Sequence, residues 1–155
     1  PAFIDLTAAT WTGPESFDYA PGARRFETFE RNVAGQIGLA RAVAYARAVG
    51  IDAIEIRVAA LAEDLRAALA HLPGGPVTDR GARKAGIVTF VTEGRVPADM
   101  HGALRAQGLA TSVSTAPMAQ FDLHARGVDA LMRASVHYYN TEDEVARFAE
   151  AVSAL

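Results

Sequence analysis

The chain has 155 residues, of which 50% are hydrophobic and 21% are charged, a balance typical of globular proteins and unlike that of disordered, collagenous or coiled-coil sequences. It contains no cysteine, which excludes disulfide frameworks, cysteine-ligated metals and thiol catalysis within these residues and favours a cytoplasmic location. Its net charge of −3 without a basic stripe argues against nucleic acid as a partner, and no apolar run reaches the roughly 18 residues of a membrane span.

The first 23 residues combine turn-forming residues with aromatic ones. Prolines and glycines recur around Trp11, Phe17 and Tyr19, a mixture that interrupts regular structure while it favours burial. We therefore predict an extended connector over residues 1–23. Its aromatic side chains are expected to pack either on a partner surface or on the core of the same domain.

Two long helices are predicted to follow the connector. Apolar residues recur every three or four positions over residues 24–49, and Gly50 ends this pattern. A second pattern of the same period runs over residues 54–72, before the Pro-Gly-Gly-Pro cluster at residues 73–76. The two helices are long enough to form a pair that covers a sheet.

The second half of the chain contains strand-like segments. β-branched and aromatic residues predict three strands, at residues 86–92, 109–114 and 131–138. A helix is predicted over residues 97–107 and ends at Gly108, and Thr141 and Glu144 open a last helix as a capping box. The expected fold is α/β, a two-layer sandwich with helices on one face of a small mixed or antiparallel sheet.

The last predicted strand carries the candidate binding residues. Alternation places its side chains on two faces, one apolar (Met132, Ala134, Val136) and one polar (Arg133, Ser135, His137). The planar guanidinium of Arg133, with His137 four residues on, suits the recognition of a carboxylate. The alternative is a structural ion pair between Arg133 and an internal Asp or Glu.

Other reactive groups lack the spacing that catalysis or metal binding requires. The four histidines lie far apart in sequence, and no pair has the spacing of three to five residues that a helix-borne metal site uses. The glycines at positions 35 and 38 follow no strand and do not form a nucleotide-binding loop. We predict neither a metal site nor a catalytic residue in this chain.

Three segments of the chain form a characteristic set of motifs. They read Arg-Arg-Phe-Glu-Thr-Phe-Glu-Arg-Asn at residues 24–32, Gly-Ile-Val-Thr-Phe at 86–90, and Arg-Ala-Ser-Val-His-Tyr-Tyr-Asn-Thr-Glu-Asp-Glu at 133–144. In this order they resemble the C-terminal part of the class V aminotransferase family of pyridoxal-phosphate enzymes. The resemblance implies the small domain of a fold-type I enzyme over residues 24–155. It also implies that Arg133 binds the α-carboxylate of an amino-acid substrate.

The family's Schiff-base lysine lies in a large domain, upstream of the motif that residues 25–27 match. The single lysine of this chain, Lys84, follows that motif. The resemblance therefore implies that residues 1–23 return from a missing large domain and that this chain is inactive by itself. The complete enzyme is expected to bind pyridoxal 5'-phosphate, whereas this chain is expected to bind no cofactor by itself. No cofactor-binding residue is assigned, and a homodimer is expected.

Two departures concern the reaction. In the family's cysteine desulfurases the loop that matches residues 108–133 carries a catalytic cysteine, and here it has none. Glu30 stands where those enzymes have a threonine that reaches the cofactor phosphate. The form Phe-Glu-Thr-Phe-Glu-Arg-Asn at residues 26–32 resembles more the branch around isopenicillin N epimerase and related lyases, so the resemblance lies nearest the isopenicillin N epimerase-like and cysteine desulfurase-like branch. Two alternatives to a small domain remain. One is a free-standing, non-catalytic module that binds a carboxylate or a protein. The other is an independent enzyme that forms an imine on Lys84.

Overall fold

A computed structural model describes residues 4–72 and 77–155. The chain divides into two compact units, one that ends at Ala48 and one from Val49 to Leu155. The predicted boundary between residues 23 and 24 stays a prediction. No helix among the described residues is long and apolar enough to cross a bilayer.

The first unit contains a hairpin that the sequence analysis missed. Strand β1, Ala9–Gly13, pairs antiparallel with β2, Ser16–Tyr19, within the segment predicted as an extended connector. Both strands are short and largely exposed, so they lack the one-sided alternation that signals a strand. A 3₁₀ turn follows at Gly22–Phe26.

Helix α1, Val33–Val49, begins nine residues later than predicted. The side chain of Asn32 explains this start, because its Oδ1 accepts a hydrogen bond from the backbone N–H of Gly35 at 2.8 Å and so caps the helix. Gly50 ends it, as predicted, with a φ of 103°. No residue of α1 is buried, and the expectation that it pairs with the next helix over a sheet stays a prediction.

The second unit confirms the predicted two-layer sandwich, and its sheet is antiparallel. Strand β5, Ala130–Ser135, lies between β3, Ile87–Phe90, and β4, Ser112–Thr115. The helices that contribute to the core are α2 (Ile51–Ala70), α3 (Pro97–Ala106) and α5 (Glu142–Ser153). A short helix α4, Gln120–Leu123, precedes β5.

The core lies between the sheet and the three long helices. Val88 and Phe90 of β3 and Met132 of β5 are at most 1% exposed, and the rings of Phe90 and Phe148 meet edge to face at 6.2 Å. The capping box of Thr141 and Glu144 is confirmed at the start of α5. The predicted stop at residues 73–76 lies outside the described residues, and α2 ends at Ala70.

Strand β3 forms an edge of the sheet, and a buried ion pair protects it. Arg66 of α2 is 5% exposed and binds Asp79 at 2.7 Å through Nε. Its Nη2 donates to the carbonyl of Ala85 at 2.6 Å and to that of Ile87 at 3.3 Å. Asp79 Oδ1 accepts the backbone N–H and the hydroxyl of Thr89, both at 2.6 Å. These bonds satisfy backbone groups that an open edge would leave unpaired.

The pKa of Asp79 reflects the same contacts. Burial by itself would raise it, but the hydrogen bonds from Thr89 and the bond and charge of Arg66 together hold the pKa below its ordinary value. The ionised form therefore stabilises the fold fully above about pH 4, and this contribution is lost as the pH falls through the lowered folded value.

We expect the substitution Asp79→Asn to lower the free energy of unfolding by about 3 kcal/mol at pH 7, because it removes the buried counter-charge of Arg66 and leaves only the exposed Glu63 at 3.7 Å. Stability should also fall less steeply below pH 4 than in the parent chain. Urea unfolding at several pH values measures both effects. The control is Arg83→Gln, which removes an exposed pair with Glu55 and should cost less than about 1 kcal/mol. Equal losses in the two variants would contradict the assigned role of Asp79.

Candidate functional site

The predicted two faces of β5 are present in the structure. Met132 and Ala134 are buried, whereas Arg133 and Ser135 are exposed. The register places Thr89 of β3 and Ser112 of β4 beside Arg133. Arg133 therefore lies in the middle of a polar row across the sheet, on the face opposite the core.

Arg133 keeps most of its donors available for a ligand. Its Nε donates to the hydroxyl of Ser112 at 3.0 Å. Across residues 4–72 and 77–155, no carboxylate lies within ion-pair distance of its guanidinium. The structural ion pair considered for Arg133 is therefore not found in the part of the chain that the structure describes. The two terminal nitrogens can bind a carboxylate in a bidentate manner.

His137 lies just beyond the strand, because β5 ends at Ser135 rather than at Tyr138. Its ring stacks on Tyr139 with a centroid distance of 5.0 Å and an interplanar angle of 24°, and it packs at a tilt on Tyr138 at 4.7 Å. The side chain is exposed. The contacts described for His137 and Arg133 do not include one between the two residues, so the structure leaves their joint role a prediction.

The segment that carries His137 is held by a network that the sequence analysis missed. Asn140 accepts the backbone N–H of His137 at 2.8 Å and donates to Glu144 at 3.0 Å. Arg57 of α2 donates to the carbonyl of Asn140 at 3.0 Å and forms an ion pair with Glu142. Arg57 and Asn140 are 83 positions apart, so no local pattern could have shown this pairing.

The acidic residues of this network have lowered pKa values. The hydrogen bond from Arg57 lowers the pKa of Glu142 to about 2. The side chain of Asn140 and the backbone N–H of Thr141 lower the pKa of Glu144. Both carboxylates are therefore ionised throughout the neutral range, and each keeps its hydrogen bonds at the start of α5.

The remaining histidines are not gathered into a metal site. His101 shares a hydrogen bond with Thr111 at 2.9 Å. In the described part of the chain, no group of three or more His, Cys, Asp or Glu residues is placed to hold a metal ion.

Comparison with known proteins identifies the family to which this architecture belongs. A family model described as Aminotransferase class-V matches residues 9–148. The chain belongs to the class V aminotransferase family. This assignment confirms the resemblance seen in the sequence motifs, and the cofactor expected for the complete enzyme, pyridoxal phosphate, is that of this family.

The curated relatives of this member of the class V aminotransferase family include cysteine desulfurases. A probable cysteine desulfurase from Xylella fastidiosa is 38% identical over 128 residues, which cover 83% of this chain and 30% of the relative. Another from Mycolicibacterium paratuberculosis is 33% identical over 151 residues, which cover 97% of this chain and 21% of the relative. The chain thus spans less than a third of the length of these two relatives.

Solved structures show the same fold. A cysteine desulfurase from Escherichia coli matches 98% of this chain and 37% of its own, with a TM-score of 0.76 and 26% identity. The apo cysteine desulfurase from Thermococcus onnurineus matches 99% of this chain and 38% of its own, with the same TM-score and 24% identity. The curated relatives and the Escherichia coli structure support the cysteine desulfurase-like branch of the family.

The position of Arg133 on the open face predicts a small effect on stability. We expect Arg133→Gln to change the free energy of unfolding by less than about 1 kcal/mol, because the residue is exposed and has one side-chain hydrogen bond. The matched variant Arg66→Gln should lower the free energy of unfolding by about 3 kcal/mol, since it leaves the buried Asp79 without its cationic partner. Chemical unfolding of both variants provides the comparison. A large loss in Arg133→Gln would indicate that this arginine supports the fold.

Proposed function

We propose that this chain forms the C-terminal small domain of a pyridoxal-phosphate-dependent class V enzyme that acts on an amino acid. In this proposal Arg133 binds the α-carboxylate of the substrate. The observation that carries it is the exposed guanidinium in the middle of the sheet, with both terminal nitrogens unpaired among the described residues. A buried or paired arginine would have no capacity for a ligand.

We assign His137 to the same function, as a second donor to the substrate. Its imidazole is fixed between Tyr138 and Tyr139 and is exposed. Asn140 holds the backbone of this residue, and Arg57 holds that of Asn140. The network restricts the motion of the segment, so that an incoming carboxylate meets a preformed donor.

This chain does not fit the cofactor by itself. A site for pyridoxal phosphate combines a lysine for the imine with groups that hold the pyridine ring. Lys84, the one lysine, lines a cavity in which the described residues include no aromatic side chain that could stack on a ring. We therefore assign the Schiff-base lysine to a large domain and expect the present chain to be inactive alone. When bound, the cofactor supplies the electron sink for the reaction.

The absence of cysteine from this chain bears on the type of reaction. A persulfide on the protein requires a thiolate, and the segment of residues 108–133 contains none. We propose amino-acid chemistry that forms no persulfide on this domain, as in the lyase and epimerase enzymes that the motif at residues 24–32 resembles. This distinguishes the chain from the cysteine desulfurases among its relatives.

The first unit carries apolar surface that supports a larger assembly. Trp11, Phe17 and Tyr19 form an edge-to-face row on the hairpin and are 63%, 38% and 44% exposed. Helix α1 exposes Ile37 and Tyr45 in addition. Exposed apolar patches of this kind mark interaction sites. We propose that the large domain and a second copy of the enzyme cover them.

The alternative is a free-standing module in which Arg133 binds a small carboxylate or a protein without catalysis. The exposed Arg133 is compatible with it. The two functions differ in what precedes Pro1 in the reading frame, because the enzyme requires a large domain with a lysine and the module does not.

In the complete enzyme, Arg133→Gln should lower kcat/KM for the amino-acid substrate by about 100-fold, the equivalent of about 3 kcal/mol for a lost carboxylate contact. The absorbance of the bound cofactor should be unchanged. Arg105→Gln, at an exposed position of α3, is the control and should retain full activity. Unchanged kcat/KM in Arg133→Gln would refute the assignment.

The isolated chain provides a second test. Incubated with pyridoxal phosphate and a panel of amino acids, it should show no turnover above the free cofactor, because the lysine and ring-binding groups are not assembled. Turnover that requires Lys84 would refute the small-domain proposal. Tight binding of a simple carboxylate that Arg133→Gln abolishes, together with no upstream lysine-bearing domain, would favour the module.

A further inference from the structure

The polar cavity that Lys84 lines lies in the unit from Val49 to Leu155. Its volume is about 360 Å³, and the described residues that line it include five cationic and two acidic side chains. The cations are Arg66, Arg80, Arg83, Lys84 and Arg126, and the acids are Asp79 and Asp122. This local excess of positive charge is opposite in sign to the net charge of −3 of the whole chain. We propose that the cavity, here called the basic cavity, is a binding site for a phosphate group.

The acidic side chains of the basic cavity are already occupied. Asp79 uses one oxygen for Arg66 and the other for Thr89. Asp122 pairs with Arg126 at 2.9 Å, and Arg126 also donates to the carbonyl of Thr78 at 3.2 Å. The side chains of Arg66 and Arg126 are only 6% and 10% exposed. Arg66 with Asp79 and Arg126 with Asp122 form two ion pairs without net charge at the base of the basic cavity.

The remaining cations are available to a ligand. In the described residues Arg80 and Lys84 have neither a hydrogen bond nor an ion pair through their side chains. Arg83 pairs with Glu55, but the two side chains are 90% and 64% exposed, and such pairs contribute little and exchange readily. Three exposed cations therefore line a cavity in which each of the two lining carboxylates is already paired with an arginine.

The chemistry of the lining selects a compact, multiply charged oxyanion. Arginine and lysine bind phosphate oxygens through charge-assisted hydrogen bonds, and arginine does so in a bidentate manner. No aromatic side chain among the described lining residues could stack on a ring. The cavity therefore recognises the phosphate group itself, which free inorganic phosphate or a small phosphate monoester could supply. Arg133 is not among the described residues that line the cavity, although Thr89, its neighbour on β3, is.

Calorimetric titration of the full 155-residue chain in a phosphate-free buffer tests this proposal. We expect saturable binding of inorganic phosphate that sodium chloride at matched ionic strength does not reproduce. The variant Arg80→Gln/Lys84→Gln should bind at least 10-fold more weakly, whereas Lys84→Arg should retain binding because it keeps the charge. Arg95→Gln/Arg105→Gln removes the same charge outside the cavity and should bind as the parent does.

Glycerol phosphate is the second probe, and it distinguishes the two sources of the group. Binding at least as tight as that of inorganic phosphate assigns the site to a phosphate monoester, and weaker binding assigns it to the free anion. The proposal is overturned if phosphate gives no saturable binding, or if the cavity variant binds like the parent. Equal losses in the cavity and control variants would also overturn it. Urea unfolding confirms that each variant is folded, and Arg80→Gln alone replaces the double variant if that one is not.

Discussion

The ion pair between Arg66 and Asp79 is the contact on which the arrangement of the second unit depends. Helix α2 packs its leucines into the core, and the residue after Leu65 extends to the edge of the sheet. There Arg66 binds Asp79 and two carbonyl groups, while Asp79 binds Thr89 of the edge strand β3. A charge pair in this position costs desolvation, but Nε and Nη2 of Arg66 and both carboxylate oxygens of Asp79 have hydrogen-bond partners. The pair fixes α2 relative to β3, and it also forms the base of the basic cavity.

Strand β5 serves the core and the candidate site at once. Because its side chains alternate, Met132 and Ala134 complete the apolar layer while Arg133 remains on the open face. The central position of β5 gives Arg133 a rigid backbone on both sides. Beyond the strand, order depends on polar contacts instead, since Asn140 and Arg57 hold the segment with His137. The backbone of the sheet therefore positions Arg133, whereas polar contacts position His137.

Local sequence patterns predicted the second unit better than the first. The apolar period of α2 and the capping box at Thr141 are local signals, and both were predicted correctly. The start of α1 was not, because the apolar period extends back to Phe26 whereas the cap at Asn32 sets the first turn. The hairpin of β1 and β2 was missed because neither strand has a buried face. Burial is what produces the alternation that sequence analysis detects.

The sequence by itself determined the fold class, the family and the residue at the centre of the candidate site. Arg133 could be found because alternation and the flanking motif are local properties of the chain. The tertiary structure decided which arginines are free and which are paired. The sequence does not distinguish the environments of Arg66 and Arg133. In the structure Arg66 is buried against Asp79, and Arg133 is exposed beside Ser112. Partners 13 and 21 positions away make that difference, because folding alone brings them within hydrogen-bond distance.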